Sequence, residues 1–116
     1  MITQKYLDEL TYEIIGSAIE VHKHMGRGLV ESVYHECLKE EFTERKINFS
    51  SEMKVPVVYK NKVLKTDFRC DLYVENIIVV ELKSVFEIHP MHEAKLLNYM
   101  KLLKSPKGIL INFNCL

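Results

Sequence analysis

The sequence lacks a net charge, a long apolar run and any paired arrangement of cysteines. Its 116 residues include 16 Lys and Arg and 16 Asp and Glu, so no global positive field attracts nucleic acid. Cys37, Cys70 and Cys115 are odd in number and widely spaced, which is typical of a reducing, cytoplasmic location. No stretch is apolar enough to cross a membrane, and the N-terminus has no signal-peptide pattern. Nucleic-acid binding would therefore need local charge or a metal ion.

The composition that remains is that of one folded domain. Hydrophobic residues make up 47% of the chain and charged residues 28%, and no repeat, low-complexity tract or linker divides it. We therefore expect a single domain over residues 1–116 with one modest core.

Apolar periodicity predicts three helices, over residues 3–25, 29–45 and about 89–104. Thr3 is a candidate N-cap for the first helix, and Gly26 and Gly28 end it. The long apolar stripe of this helix exceeds what one small sheet covers, which predicts a homodimer.

Extended patterns predict four strands, over residues 53–59, 63–74, 77–84 and 109–113. Lys60 to Lys62 forms a turn between the first two, and Pro56 suggests an edge position or a strand start. The element order α-α-β-β-β-α-β indicates an α/β (α+β) fold with a mixed sheet flanked by helices.

Charged residues at the end of an apolar strand mark the candidate site. Glu81 and Lys83 follow the run Ile77 to Val80 and share one strand face. A two-residue loop at Glu75-Asn76 would put Asp71 and Glu81 on opposite faces.

A three-residue loop would place all three charged residues on one face. It would pair Asp71 with Val79 and Arg69 with Glu81, and it would keep the apolar residues together on the other face. Burial and chemistry therefore both favour the odd-length loop.

This arrangement suits phosphodiester hydrolysis. Asp71 and Glu81 can hold Mg²⁺ or Mn²⁺, with the backbone carbonyl of Leu82 as a third ligand, and Lys83 can orient a water or neutralise phosphate charge. The alternative is a surface ion pair on an edge strand, because Glu-x-Lys alone is a weak signal.

The segment Gly28-Leu29-Val30-Glu31-Ser32-Val33-Tyr34 resembles the signature of the GxxExxY proteins, a branch of the PD-(D/E)XK nuclease superfamily. Five further blocks are similar to that family's blocks, in order and at similar spacing: residues 68–72, 80–83, 92–94, 96–100 and 108–113. The resemblance implies the α-β-β-β-α-β nuclease core. It also implies that Glu31 is the helix carboxylate that completes the site, through a water molecule, although a first-turn acid suits any helix dipole.

Further residues are candidates for supporting or substrate-contacting roles: Tyr34, Arg69, Lys95 and Tyr99. Lys95 stands where the resemblance implies Gln. It could bind substrate phosphate, or it could pair with a site carboxylate and displace the metal. We expect His35, His89 and His92 to be packing or surface residues.

Three functions follow from this sequence. The first is a metal-dependent nuclease acting on DNA or RNA. The second is a catalytically weak or inactive nuclease-fold module that binds nucleic acid or a protein partner. The third is a structural or regulatory subunit with a vestigial site.

Overall fold

The computed structural model describes residues 2–115, which form three helices, a four-stranded sheet and a short ribbon. The helices are α1 (Gln4–Met25), α2 (Glu31–Glu44) and α3 (Pro90–Leu103). The strands are β1 (Phe49–Lys54), β2 (Val58–Tyr59), β3 (Lys62–Val63), β4 (Arg69–Val74), β5 (Ile78–Lys83) and β6 (Lys107–Asn112). The predicted α+β fold with a mixed sheet is confirmed.

Caps define the helix ends. Thr3 accepts a hydrogen bond from the Tyr6 amide at 3.1 Å and so caps α1, as predicted. Gly26 ends α1 with a φ of 70°, a value that favours glycine. At α3, His89 accepts from the Met91 amide and His92 accepts from the His89 amide. These two histidines therefore serve as a helix cap within the described structure.

The sheet has the order β1-β4-β5-β6, antiparallel except for the parallel β5–β6 pair. The larger core cluster joins α1 and α2 to one sheet face, with Ile14, Tyr34 and Leu72 fully buried in it. The smaller cluster joins α3 to the other face around Val79 and Tyr99. Helices thus cover both faces, and β1 and β6 form the edges.

The predicted bounds of the first two strands are wrong. β1 begins at Phe49 and ends before Pro56, which has no amide to donate to a ladder. The chain then forms the separate β2–β3 ribbon, whose turn at Lys60 and Asn61 has φ values of 48° and 66°. A turn at this position was predicted, whereas the interruption of the second strand before Arg69 was not.

The predicted register of the β4–β5 hairpin is wrong by two residues. Leu72 pairs with Val80, so Asp71 lies opposite Glu81 and not opposite Val79. The loop is formed by Glu75 and Asn76, both with positive φ, followed by Ile77. A shift of two leaves the face of each side chain unchanged.

The first helix keeps an exposed apolar surface. The exposed fractions of Tyr12, Ile15 and Ile19 are 76%, 45% and 55%, and Ile15 and Ile19 line a groove beside edge strand β6. The homodimer stays a prediction that rests on this surface. No helix within residues 2–115 is long and apolar enough to span a membrane.

Candidate active site

Asp71 and Glu81 hold each other's strands together through their side chains. The Asp71 amide donates to Glu81 Oε1 at 2.9 Å, and the Leu82 amide donates to Asp71 Oδ2 at 2.7 Å. These reciprocal bonds stand at the end of the regular ladder, one residue beyond the Leu72–Val80 pair. The two carboxylates are therefore adjacent and fixed by backbone contacts on both strands.

Glu81 is unusual because it is a buried carboxyl beside another carboxyl. Its exposed fraction is 3%. Burial and the charge of Asp71 raise the pKa of Glu81 to about 7, although its backbone hydrogen bond and Lys95 oppose this rise. A cation at this position would relieve the repulsion between the two groups.

Lys95 reaches this neighbourhood from α3. Its Nζ atom lies 5.6 Å from the ring centroid of Tyr99, and its charge acts on Glu81. The third helix therefore brings an ammonium group to the Glu81 side of the site.

Lys83 ends β5 two residues after Glu81, on the same strand face, and is half-buried. Its backbone carbonyl accepts from the Phe113 amide at 2.9 Å, and its Cα pairs with Asn112 in β6. The inner position of β5 fixes the backbone from which the Lys83 side chain projects.

Glu31 is the first residue of α2 and shares a cleft of about 470 Å³ with Asp71. The cleft is also lined by Ser32, His35, Glu36, Lys39, Ser51 and Glu52. Four of the eight lining residues are carboxylates, and the His35 ring forms a hydrogen bond between α2 and Ser51 Oγ at 2.9 Å. The carboxylates of Glu31 and Asp71 thus line the same cleft.

A backbone distortion accompanies the cleft. Glu52 has a φ of 49° and lies opposite Asp71, between the pairs Ser51–Leu72 and Met53–Cys70. Leu72 packs toward α1 and α2, whereas Cys70 packs in the α3 cluster, although residues two apart normally share a face. Strand alternation therefore breaks at Asp71. Glu52 could not be predicted from the sequence, because a non-glycine residue with positive φ leaves no pattern there.

Both candidate tyrosines use their hydroxyls on the backbone. The Tyr34 hydroxyl donates to the Gly26 carbonyl at 2.6 Å and accepts from the Leu29 amide at 3.2 Å. The Tyr99 hydroxyl donates to the Arg69 carbonyl. The rings are buried and stacked, Tyr34 on Phe113 at 4.5 Å between centroids. Both residues support the backbone that flanks the site.

Arg69 does not face Glu81, contrary to the predicted pairing. Its Cα pairs with Lys54 in β1, and its guanidinium donates to Asp67 at 2.6 Å and to the Glu52 carbonyl at 3.1 Å. It is exposed beside the site and braces the distorted backbone at Glu52.

The donor set fits a small hard cation that keeps several waters. Asp71 and Glu81 are two adjacent oxygen donors, and burial together with the charge of Asp71 raises the pKa of Glu81 to about 7. Within residues 2–115 no group of three His, Cys, Asp or Glu side chains converges. Water and substrate oxygens would have to complete the coordination.

The comparisons with known proteins bear on this arrangement. A family model described as PD-(D/E)XK nuclease superfamily matches residues 8–116. No curated protein and no solved structure matches the chain significantly. The match covers all the elements that form the site.

Proposed function

Because the chain belongs to the PD-(D/E)XK nuclease superfamily, we propose that it hydrolyses phosphodiester bonds of DNA or RNA with a divalent metal ion. The observation that carries this proposal is the reciprocal hydrogen bonding of Asp71 and Glu81. A buried carboxyl beside a second carboxyl costs stability, and metal binding explains why the pair is built into two central strands.

Asp71 and Glu81 would hold Mg²⁺ or Mn²⁺. The ion, when bound, would supply positive charge that offsets the charge developing on the phosphate. Glu81 must lose its proton to bind a cation. Because its pKa is raised to about 7, metal binding should strengthen as the pH rises through about 7.

Lys83 and Glu31 would act on the attacking water and the phosphate. Lys83 lies on the same face as Glu81 and can orient water or neutralise phosphate charge. Glu31 opens onto the same cleft as Asp71 and can hold a water there. Tyr34, Arg69 and Tyr99 would position these groups through backbone contacts.

The test is cleavage of labelled DNA and RNA with Mg²⁺ or Mn²⁺, together with calorimetric metal titration. We expect Asp71→Asn to abolish both metal binding and cleavage. We expect Lys83→Ala to lower the cleavage rate by roughly 100-fold or more while metal binding persists. Glu87→Gln, an exposed carboxylate outside the site, is the control. Cleavage that survives both site substitutions would contradict the proposal.

Lys95 favours a second candidate, a weak or inactive nuclease-fold module that binds nucleic acid. Its ammonium charge lowers the pKa of the buried Glu81. Lys83 and Lys95 together nearly offset the charge of the three carboxylates of the candidate site, Glu31, Asp71 and Glu81. A metal ion would compete with Lys95 for the same oxygens. The absence of metal binding at millimolar concentration, with duplex binding retained, would select this function.

A further inference from the structure

The β2–β3 ribbon is an extension of the strands that form the site. Beyond Lys54, the Val55 amide donates to the Phe68 carbonyl at 2.7 Å, and the Leu64 amide donates to the Val57 carbonyl at 2.8 Å. The return strand then enters β4, where Asp71 lies two residues after Arg69. We call residues 54–65 the basic ribbon.

The basic ribbon concentrates positive charge in a chain whose net charge is zero. It contains four lysines and no acidic residue: Lys54, Lys60, Lys62 and Lys65. All four are exposed, and within residues 2–115 none of them forms a salt bridge. A chain with no net charge needs such a local concentration of positive charge to bind nucleic acid.

At its base the ribbon sets two cations directly opposite each other. Lys54 pairs with Arg69, and like charges in this position destabilise a sheet. Asp67, which bonds Arg69, is 79% exposed and screens this repulsion weakly. A polyanion lying along the ribbon would remove the repulsion.

At its tip the ribbon combines lysine with exposed aromatic and aliphatic surface. Tyr59 is 59% exposed, and Lys60 Nζ lies 5.4 Å from its ring centroid. Val63 on the opposite strand is 73% exposed. Lysines with an interleaved aromatic residue suit a sugar–phosphate backbone.

We propose that the basic ribbon grips the phosphodiester backbone of the substrate beside the site. This inference rests on the proposed function for the choice of nucleic acid over an anionic membrane, because only residues 66–68 separate the ribbon from β4, the strand of Asp71. Glu52 lies opposite Asp71, and the strand from Glu52 to Tyr59 spans at most about 23 Å. That length corresponds to about seven nucleotides of one strand, so the ribbon reaches phosphates away from the cleaved bond.

The test uses the full chain in EDTA, where binding is measured without cleavage. Fluorescence anisotropy with DNA and RNA duplexes of about 20 base pairs, over a range of salt concentrations, compares wild type with Lys60→Gln/Lys62→Gln. Lys5→Gln/Lys23→Gln on α1 removes the same charge elsewhere and is the matched control. Circular dichroism confirms that each variant is folded.

We expect the ribbon variant to bind about tenfold more weakly and to reduce the salt slope by about two, with the control within about twofold of wild type. Comparing the affinities for the DNA duplex and the RNA duplex shows which of the two nucleic acids the ribbon binds. Equal losses in both variants would overturn the proposal, as would ribbon-dependent binding to phosphatidylserine vesicles without duplex binding.

The outcome is independent of catalysis. Ribbon-dependent binding in a protein that cleaves nothing would uphold the ribbon and overturn the nuclease function. Asp71-dependent cleavage, together with a ribbon variant that binds duplex normally, would uphold the nuclease function and overturn the role of the ribbon.

Discussion

The β4–β5 hairpin has two ends with opposite character. At the loop end, Val74 and Ile78 pair in a regular ladder and are fully buried among aliphatic and aromatic residues. At the other end, Asp71 and Glu81 bond the backbone of the facing strand with their side chains. One pair of strands therefore contains both an apolar core and a charged site.

The difference shows how the protein supports the charged end. Burial of Val74 and Ile78 is favourable by itself, whereas burial of Glu81 raises the carboxyl pKa and opposes folding at neutral pH. The loop end holds the register that brings the two carboxylates opposite each other. Stability is thus supplied at one end of the hairpin and lost at the other.

Removing apolar volume at the loop end gives the largest expected effect. Ile78→Ala should lower the free energy of unfolding by about 3 kcal/mol, because Ile78 is fully buried and its removal leaves a cavity. Urea denaturation measures the loss. The exposed Val63→Ala is the control and should change stability by less than about 0.5 kcal/mol. Equal stability of the two variants would show that the loop end does not anchor the hairpin.

The charged end should respond to pH. The folded pKa of Glu81 is about 7, above the ordinary value of 4.5, so the folded state holds a proton that the unfolded state releases. This contribution to stability is complete below about pH 4.5 and is lost as pH rises through about 7.

Glu81→Gln should remove this dependence and raise the free energy of unfolding at about pH 8, on the order of 2 kcal/mol relative to wild type. At about pH 4, below both pKa values, the two proteins should be nearly equal. Denaturation at both pH values provides the measurement, with the exposed Glu87→Gln as control. Parallel pH profiles for wild type and Glu81→Gln would refute the unfavourable burial of this carboxylate.

A smaller effect is expected from Lys95, whose charge influences the metal affinity of the charged end of the hairpin. Lys95→Gln should tighten Mn²⁺ binding by about fivefold, roughly 1 kcal/mol, because a cation that competes for Glu81 is removed. Calorimetry on Lys95→Gln and on the exposed Lys101→Gln in the same helix measures the difference. If Lys95 instead grips substrate phosphate, Lys95→Gln would lower cleavage and flatten its salt dependence.

Local signals in the sequence predicted the helices and the shared face of four apolar hairpin residues, Leu72, Ile78, Val80 and Leu82. Thr3 caps α1 as expected, and alternation correctly put Leu72 and Val80 on one face. Alternation repeats every two residues, however, so it cannot distinguish a register from one shifted by two. The loop begins with positive φ values at Glu75 and Asn76, and with this loop Val74 pairs with Ile78. Glutamate rarely adopts positive φ, so the sequence does not indicate this loop.

The charged strand residues of the candidate site could be proposed from the sequence, whereas the residues around them could not. Asp71, Glu81 and Lys83 interrupt an apolar pattern and so attract attention. Glu52 and His35 reach the cleft through a distorted strand and a helix–strand contact, which depend on tertiary structure. The basic ribbon was predicted as the turn and adjoining parts of two longer strands, because Val57, Val58 and Val63 have strong strand propensity.

The backbone of Leu29 is anchored at both of its polar groups. Its amide donates to the Tyr34 hydroxyl at 3.2 Å, and its carbonyl accepts from the Ser84 hydroxyl at 2.6 Å. Glu31 follows Leu29 by two residues, and Ser84 directly follows Lys83. The start of α2 and the end of β5 are therefore coupled mechanically. Folding therefore restricts the movement of Glu31 relative to the backbone of Lys83, and this ordering is completed before any ligand binds.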